Sequence, residues 1–239
     1  MSGLQAQKNV RDSAAAGITM INLEYNGSLP GRDMADRFGF TSGIGGGIGY
    51  KFKSNVYLTV GARFLFGETV KEDSILRAIT TAGGLIVIAD NGNLAEVQLQ
   101  ERGWVIPFAV GKIFPLNPAN QNSGLYAEIG GQFIEHRIAI RTPDLEPAAL
   151  SPTHKKGYDR LSNGFGLRQG LGYRFFDKRN YLNFAIGLEL SQNFTRNRRS
   201  INIDTGLRDD RSRIDLLGGL TATWTLPLYA KAAKRIYYN

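Results

Sequence analysis

The sequence of 239 residues predicts an all-β fold, a single eight-stranded antiparallel transmembrane β-barrel of up-and-down topology. Three observations support this prediction. About eight segments alternate apolar and polar residues with the period of two that a half-buried strand requires. Their connections alternate between short and long, as short periplasmic turns and long extracellular loops do in outer-membrane barrels. The segments are roughly 10 to 14 residues long, which suits tilted strands that cross a bilayer.

The predicted strands follow one another along the whole chain. They cover residues 16–28, 40–52, 56–66, 103–114, 125–133, 165–176, 182–191 and 213–228, with short connections at 52–56, 114–125 and 176–181 and long ones at 27–39, 67–103, 141–163 and 195–214. The third strand illustrates the pattern, since Leu58, Val60 and Phe64 share an apolar face opposite Thr59 and Arg63. Residues 15–230 are therefore assigned to the barrel, residues 1–14 to a tail or signal-peptide remnant, and residues 231–239 to a periplasmic tail.

Alternation alone does not decide which face points outward. A soluble lipocalin-like carrier has the reverse arrangement, with apolar residues around an internal ligand cavity. Strand length favours the membrane barrel, and so do the aromatic residues near strand ends, which match interfacial girdles. The polar face is rich in glycine together with arginine and glutamate, which suits a narrow lumen where glycines make room for long charged side chains.

The polar face predicts a charge network inside the barrel. An eight-stranded barrel is just wide enough for its interior to be filled by side chains. Buried charges are tolerated only when they are paired and hydrogen-bonded. The predicted network pairs acidic with basic residues, namely Glu24, Glu128 and Glu189 with Arg63, Arg168 and Arg174. Such a network would plug the barrel; the alternative is a narrow ion path.

The composition limits the classes of site and binding partner that the protein can have. Cysteine is absent, which excludes a disulfide framework and a cysteine metal site. The net charge of +8 fits phosphate-rich lipid headgroups, and the scattered arginines do not form the basic footprint of a nucleic-acid-binding protein. The glycine run at residues 43–49 fails the dinucleotide and phosphate-loop patterns, so no cofactor is expected.

The second long connection predicts a structured extracellular loop. Residues 71–81 could form a short amphipathic helix, and residues 84–100 are typical of a β-hairpin because Asn91-Gly92 favours a tight turn. Loops on a rigid barrel often carry function. The predicted partner-binding face consists of Leu85, Ile86, Val87, Ile88 and Val97. The alternative is that the hairpin merely extends the barrel wall above the membrane.

Arginines begin the fourth long connection. Guanidinium groups bind phosphate through paired hydrogen bonds, so Arg196, Arg198 and Arg199 are predicted to contact lipopolysaccharide phosphates. The alternative is a solvated cluster in which these arginines pair with nearby acids.

The two histidines raise an enzymatic alternative. Small outer-membrane lipases and acyltransferases place a histidine beside a serine and an acid near the outer rim. His136 or His154, with Ser151 and Asp159, could form such a set, but no motif spacing supports it and a triad is recognised by geometry. No metal site is expected, because no known ligand spacing is present.

Several short segments resemble uncharacterised small outer-membrane β-barrel proteins of Bacteroidota. The segments that carry the likeness are Glu101-Arg-Gly-Trp104, Gly111-Lys-Ile-Phe-Pro115, Lys156-Gly-Tyr-Asp-Arg-Leu161, Thr195-Arg-Asn-Arg-Arg-Ser200, Asp215-Leu-Leu217, Leu226-Pro-Leu-Tyr229 and Tyr237-Tyr238. Asn239 departs from the aromatic C-terminal residue usual in such barrels. The resemblance implies an integral outer-membrane location and no known catalysis. By analogy, some small barrels of that phylum are accessory subunits of larger machines, including type IX secretion complexes.

The sequence therefore predicts a non-enzymatic barrel that acts as a structural or interaction subunit of a larger envelope complex. Its expected partners are lipopolysaccharide and other envelope proteins, and not nucleic acid. A lipid A-modifying hydrolase or acyltransferase and a soluble lipocalin-like carrier are the alternatives.

Overall fold

Eight long strands form a closed antiparallel barrel in the computed structural model, which describes residues 15–80, 85–87, 94–143, 147, 150–177 and 182–229. The barrel strands are β1 (Ile18–Arg32), β2 (Thr41–Lys51), β3 (Val56–Gly67), β6 (Gln98–Pro115), β7 (Gly124–Arg141), β8 (Ser162–Phe176), β9 (Asn183–Asn197) and β10 (Ser212–Tyr229). Each pairs with its neighbours along the chain, and β1 pairs with β10 from Ile18↔Tyr229 to Arg32↔Asp215. The predicted up-and-down barrel is confirmed. The predicted tails lie outside the described residues.

The apolar faces of the strands point outward. Large apolar side chains of the outer wall are strongly exposed: Ile48 is 61 % exposed, Leu220 63 % and Phe165 73 %. A continuous apolar wall of this kind is the surface that faces lipid. The lumen instead holds polar and charged residues and tyrosines. The lipocalin-like alternative is therefore wrong, because it needs the opposite orientation.

The strands reach further toward the extracellular end than predicted. The long loops are accordingly shorter: L1 covers residues 33–40, L2 68–97, L3 142–161 and L4 198–211. Residues 29–32 and 98–102, expected to lie in loops, are in strands. The Phe40 ring lies over Gly27, within 2.9 Å of where a Cβ would be, so an aromatic side chain covers this gap in the strand.

The predicted amphipathic helix at residues 71–81 is wrong. Among the described residues 71–80, a single 3₁₀ turn forms at Asp73–Leu76. β-Branched residues such as Ile75 and Ile79 are modest helix formers, and a short helix is costly to nucleate. Tertiary packing decides the backbone instead, since Ile75 is fully buried at the barrel mouth and Ile79 packs against the same cluster.

The predicted hairpin at residues 84–100 is present in part in L2: its turn at Asn91-Gly92 lies outside the described residues, and residues 98–100 belong to β6. Strands β4 (Leu85–Val87) and β5 (Leu94–Glu96) pair with each other in a two-stranded sheet that is separate from the barrel. L3 carries one short helix, α1 (Pro152–Tyr158). No helix in the described ranges is long and apolar enough to cross a membrane.

Apolar clusters fill both ends of the barrel. At the extracellular end, Met34 and Phe38 of L1 are fully buried against Leu65, Val105 and Ile134 of the wall. L1 therefore folds inward and covers the mouth. A second cluster closes the periplasmic end around Ile18, Met20, Tyr57, Ile113, Tyr126, Phe176 and Ala185. The charged lumen lies between these two clusters.

Candidate functional site

Arg63 organises the charges of the lumen. Its Nη1 and Nη2 each donate a hydrogen bond of 3.0 Å to one oxygen of Glu189, and Nη2 also contacts Glu24. The side chains of Arg63 and Glu189 are only 4 % and 7 % exposed. A paired, bidentate contact is the geometry in which buried charges are tolerated.

Arg168 extends the same network. Its Nη2 lies 2.8 Å from Glu128 Oε1 and 2.9 Å from Glu189 Oε2. The hydroxyl of Tyr57 donates to the other oxygen of Glu128 at 2.7 Å, and Thr221 donates to Glu189 at 3.3 Å. Five of the six predicted network residues thus share one continuous set of contacts.

Arg174 is the exception. In the described part of the chain it forms no ion pair, so its predicted pairing with a glutamate is wrong. Its guanidinium lies over the rings of Tyr57, at 4.9 Å, and Tyr126, at 5.5 Å, and its Nη1 contacts the sulfur of Met20. Cation–π contacts with two tyrosines replace the carboxylate. Arg174 lies nearer the periplasmic end, among the aromatic residues of the lower cluster.

The glycines of the polar face make room for these side chains, as the sequence predicts. An added Cβ at Gly43 would lie 2.5 Å from Cδ of Arg63, and one at Gly170 would lie 2.8 Å from Cγ of Glu128. A cavity of about 40 Å³ lies in the lumen beside Glu24 and Arg168. Such a volume holds a few water molecules at most.

A second polar cluster lies near the extracellular mouth. His136 Nε2 is 2.9 Å from Asp215 Oδ2, and Thr195 donates to the same oxygen at 2.5 Å. Glu101 accepts a hydrogen bond of 2.6 Å from Thr41. Sequence patterns did not reveal this cluster, although period two places all five residues on the polar face. His136 and Asp215 are fully buried, so this histidine is not presented to a surface substrate.

One arginine ties three loops together. Arg160 of L3 donates to Glu72 of L2 at 3.0 Å, and its two Nη atoms donate to the carboxylate of Asp204 in L4 at 2.9 and 2.6 Å. Arg37 of L1 donates to the Arg160 carbonyl at 3.3 Å. Burial lowers the pKa of Arg160, but the hydrogen bonds to Asp204 and Glu72 outweigh it and the pKa is raised.

The three predicted lipid-contact arginines have different surroundings. Arg196 and Arg198 are exposed, and their Nε atoms donate to the neutral side chains of Ser212, at 3.0 Å, and Asn163. Arg199 instead forms a bidentate pair with Asp159, at 2.8 and 2.5 Å. These hydrogen bonds raise the pKa of Arg199.

Other charges of L4 pair among themselves. Arg208 lies 2.6 Å from Asp210, while Asp209 accepts hydrogen bonds from Arg211 and Arg213. The hydrogen bonds from Arg211 lower the pKa of Asp209 well below its usual range. The self-paired alternative thus describes part of L4, and Arg196 and Arg198 are left with exposed guanidiniums.

The predicted partner-binding face falls on the L2 hairpin. Leu85, Ile86 and Val87 form β4, and Ile88 lies outside the described residues. Val97 is half-buried and packs against the apolar cluster at the barrel mouth. Val97 therefore anchors the hairpin to the barrel, whereas β4 and β5 make no strand pairing with the wall in the described residues.

The suggested serine, histidine and acid do not come together as a triad. Ser151 Oγ is 2.8 Å from His154 Nδ1 at the exposed start of α1. Asp159, however, binds Arg199 and the backbone N–H of Leu161. The described residues contain no group of three or more histidine or acidic side chains placed to hold a metal ion.

Comparisons of the sequence with protein-family models and with curated proteins find no match. Solved structures similar to the chain include the attachment invasion locus protein Ail of Yersinia pestis, in one case in complex with the heparin analogue sucrose octasulfate. That structure has 11 % identity and a TM-score of 0.43, and the match covers 88 % of this chain and 99 % of that one. Neisserial surface protein A has 8 % identity and a TM-score of 0.43, over 87 % and 96 %. OprG of Pseudomonas aeruginosa has 11 % identity and a TM-score of 0.35, over 92 % and 99 %.

The location follows from the barrel itself. A closed ring of strands has no free edge, and its outer wall is apolar where lipid would lie. The lumen holds the charges, with short turns at one end and long loops at the other. The protein is an integral outer-membrane β-barrel with its long loops on the extracellular side.

Proposed function

We propose that this barrel is a non-enzymatic interaction subunit of the outer membrane that acts through its extracellular surface. The observation that carries the proposal is the contact between Arg63 and Glu189, which joins opposite walls of the lumen. Side chains that meet across the lumen leave no path for diffusion. We therefore assign the function of the barrel to its extracellular loops. This supports the plug interpretation of the network over the ion path.

Two surfaces are suited to partners. Arg196 and Arg198 present guanidiniums near the outer leaflet, which supports contact with lipopolysaccharide phosphates. Arg199 would bind a lipid phosphate only if it released its ion pair with Asp159. The L2 hairpin is a separate sheet above the wall, which supports contact with another envelope protein. On this proposal the chain is an accessory component of a larger envelope complex, in keeping with its resemblance to Bacteroidota barrels, and a secretion complex is one such assembly.

The experiment is a mild-detergent purification of the tagged protein from its own envelope, analysed by mass spectrometry. Stoichiometric envelope proteins should accompany the wild type and be lost when residues 85–96 are replaced by a flexible glycine–serine linker. A matched control changes a different loop: Arg208→Gln with Asp210→Asn removes an exposed ion pair of L4 and should keep the partners. Recovery of the wild type alone would contradict the accessory role.

A lipid A-modifying enzyme is the second candidate, favoured by the contact between Ser151 and His154. Its test is the lipid A profile of cells that carry His154→Ala or Ser151→Ala. The interaction proposal expects a profile identical to the wild type for both variants. Loss of one acyl or phosphate modification in both would support the enzyme instead.

A further inference from the structure

We propose that Arg102 of β6 and Arg137 of β7, assisted by Arg141, form a binding site for the phosphate of an outer-leaflet glycolipid of the lipid A type. The site lies on the outer wall of the barrel, on two strands that do not adjoin L4. It deepens the lipid-contact part of the proposed function and rests on it. Sequence patterns did not reveal it, because Arg102 and Arg137 are 35 positions apart and meet only through the strand register.

The register places these charges side by side. Arg102 and Arg137 are directly opposite each other in the β6–β7 ladder, and both belong to the outward-facing set of positions. Opposite residues of an antiparallel pair have Cβ atoms about 4.5 to 5.5 Å apart. Arg141 is on the same face of β7, four residues and therefore roughly 13 Å further toward the loops.

No acidic side chain in the described part of the chain forms an ion pair with the three guanidiniums, and Glu68 and Glu101 act on Arg102 only at longer range. None of them has a carboxylate oxygen within 4.0 Å. Arg102 donates to the Glu101 carbonyl at 2.6 Å and to the side-chain oxygen of Gln100, both neutral groups. Glu135, on the same face of β7, accepts its hydrogen bond from Asn163 instead.

Two like charges directly across a strand pair destabilise the sheet. A bound anion would remove this cost, because one phosphate can accept hydrogen bonds from two guanidiniums at once. The unpaired arginines therefore indicate an anion, and the exposed side chains of Arg137 and Arg141 leave it free to approach.

The position of the pair selects a lipid over a soluble anion. Two residues below Arg102, Trp104 stands 52 % exposed on the same face and packs edge-on against Phe64 at 5.1 Å. Phe66 pairs with Arg102 itself. Exposed tryptophan marks the membrane interface, so guanidiniums one step above Trp104 lie at the height of lipid headgroups. A phosphate that is attached to acyl chains is held at this level.

Trp104 also provides a probe, because the chain has only one other tryptophan, Trp224, near the periplasmic end of β10. In a Trp224→Phe background, Trp104 fluorescence should change saturably when bisphosphorylated lipid A is added to the protein in nonionic detergent. Dephosphorylated lipid A should bind at least roughly tenfold more weakly, since hydrogen bonds to charged groups are strong. The same loss is expected for Arg102→Gln with Arg137→Gln.

Controls separate the site from its neighbours. Arg208→Gln should keep wild-type affinity, because that arginine lies in L4 and pairs with Asp210. Arg102→Gln alone should raise the unfolding midpoint in lipid-free detergent, since it removes the repulsion, and this readout does not depend on lipid binding. Unchanged lipid A affinity in the double variant would overturn the inference.

Two further outcomes distinguish this site from the L4 arginines and a lipid phosphate from a soluble one. If only Arg196→Gln with Arg198→Gln abolished binding, lipid contact would stand and the β6–β7 site would be wrong. If millimolar inorganic phosphate displaced lipid A from the wild type, the site would be one for soluble anions and the lipid assignment would be wrong. Failure of the hairpin purification would contradict only the accessory role and would leave the lipid A titration unaffected.

Discussion

Arg63 of β3 and Glu189 of β9 lie on opposite strands of the eight-stranded ring and meet through two hydrogen bonds of 3.0 Å. Four strand-to-strand steps separate them in either direction around the barrel. The pair therefore joins the two walls across the lumen. Arg168 binds the same carboxylate, so the negative charge of Glu189 compensates two buried arginines.

Removing the carboxylate of Glu189 should lower the free energy of unfolding. Glu189→Gln keeps the shape of the side chain but leaves Arg63 and Arg168 with less compensation in a buried setting. Breaking one partner of a buried pair typically costs about 3 to 5 kcal/mol of the free energy of unfolding. Urea titration in detergent or liposomes, followed by tryptophan fluorescence, measures this loss.

Asp210→Asn is the matched control for that experiment, because Asp210 pairs with Arg208 in the open, with both side chains about 70 % exposed. Exposed pairs contribute little, so its effect should stay within about 1 kcal/mol. Equal effects of the two variants would contradict a structural role for the lumen network.

The same network should block ions. In planar bilayers the wild type should show no stable conductance steps, since charged side chains occupy the lumen and L1 covers the mouth. Arg63→Ser with Glu189→Ser removes both bulky partners and should produce measurable current. A conducting wild type would instead support the narrow ion path that the sequence left open.

The lumen shows how far sequence reasoning reached. Period two assigns each residue to the inner or outer face, and Glu24, Arg63, Glu128, Arg168 and Glu189 indeed lie inside together. Period two does not give the height of a residue along the barrel axis, which depends on the stagger of eight strands. For this reason the sequence pattern did not show that Arg174 contacts two tyrosines and not a glutamate.

The same limit hid the contacts that depend on register. His136 and Asp215 belong to strands that are not neighbours in the ring, and they touch only because both face the lumen at one height. Arg102 and Arg137 lie on neighbouring strands, but their pairing depends on the register that the connection at residues 116–123 sets between β6 and β7. The prediction of a membrane barrel depends only on the alternation of apolar and polar residues within each strand. That pattern is local, so the sequence was sufficient to predict the barrel.

Loop order should depend on Arg160. Arg160→Ala removes the ion pairs to Glu72 and Asp204 that connect L2, L3 and L4. We expect faster hydrogen exchange and faster proteolysis in L2 and L4, with a local cost of about 1.5 to 3 kcal/mol, because charged hydrogen bonds are lost. Arg160→Lys keeps the charge without the planar fork and should give an intermediate result. Unchanged exchange in L4 for the alanine variant would show that Arg160 does not hold the loops together.

Asp209 should make L4 sensitive to acid. The hydrogen bonds from Arg211 and the charge of Arg213 lower the pKa of Asp209 in the folded protein below the value of about 3.9 expected when unfolded. A lowered folded pKa contributes stability that is fully present above the unfolded value and is lost as the pH falls toward the folded one. Wild type should therefore exceed Asp209→Asn in stability by about 1 kcal/mol or less at pH 7, since the pairs lie at the protein rim. The difference should shrink as the pH falls below about 4.

Trypsin provides the second measurement of the same contact. At neutral pH, Asp209→Asn should free Arg211 and Arg213 and increase cleavage after them, whereas the barrel strands stay protected. Asp210→Asn, at the adjacent position, leaves both contacts of Asp209 in place and serves as the control. If the stability difference between wild type and Asp209→Asn were the same at pH 3 and pH 7, the Asp209 carboxylate would not be the group that holds L4.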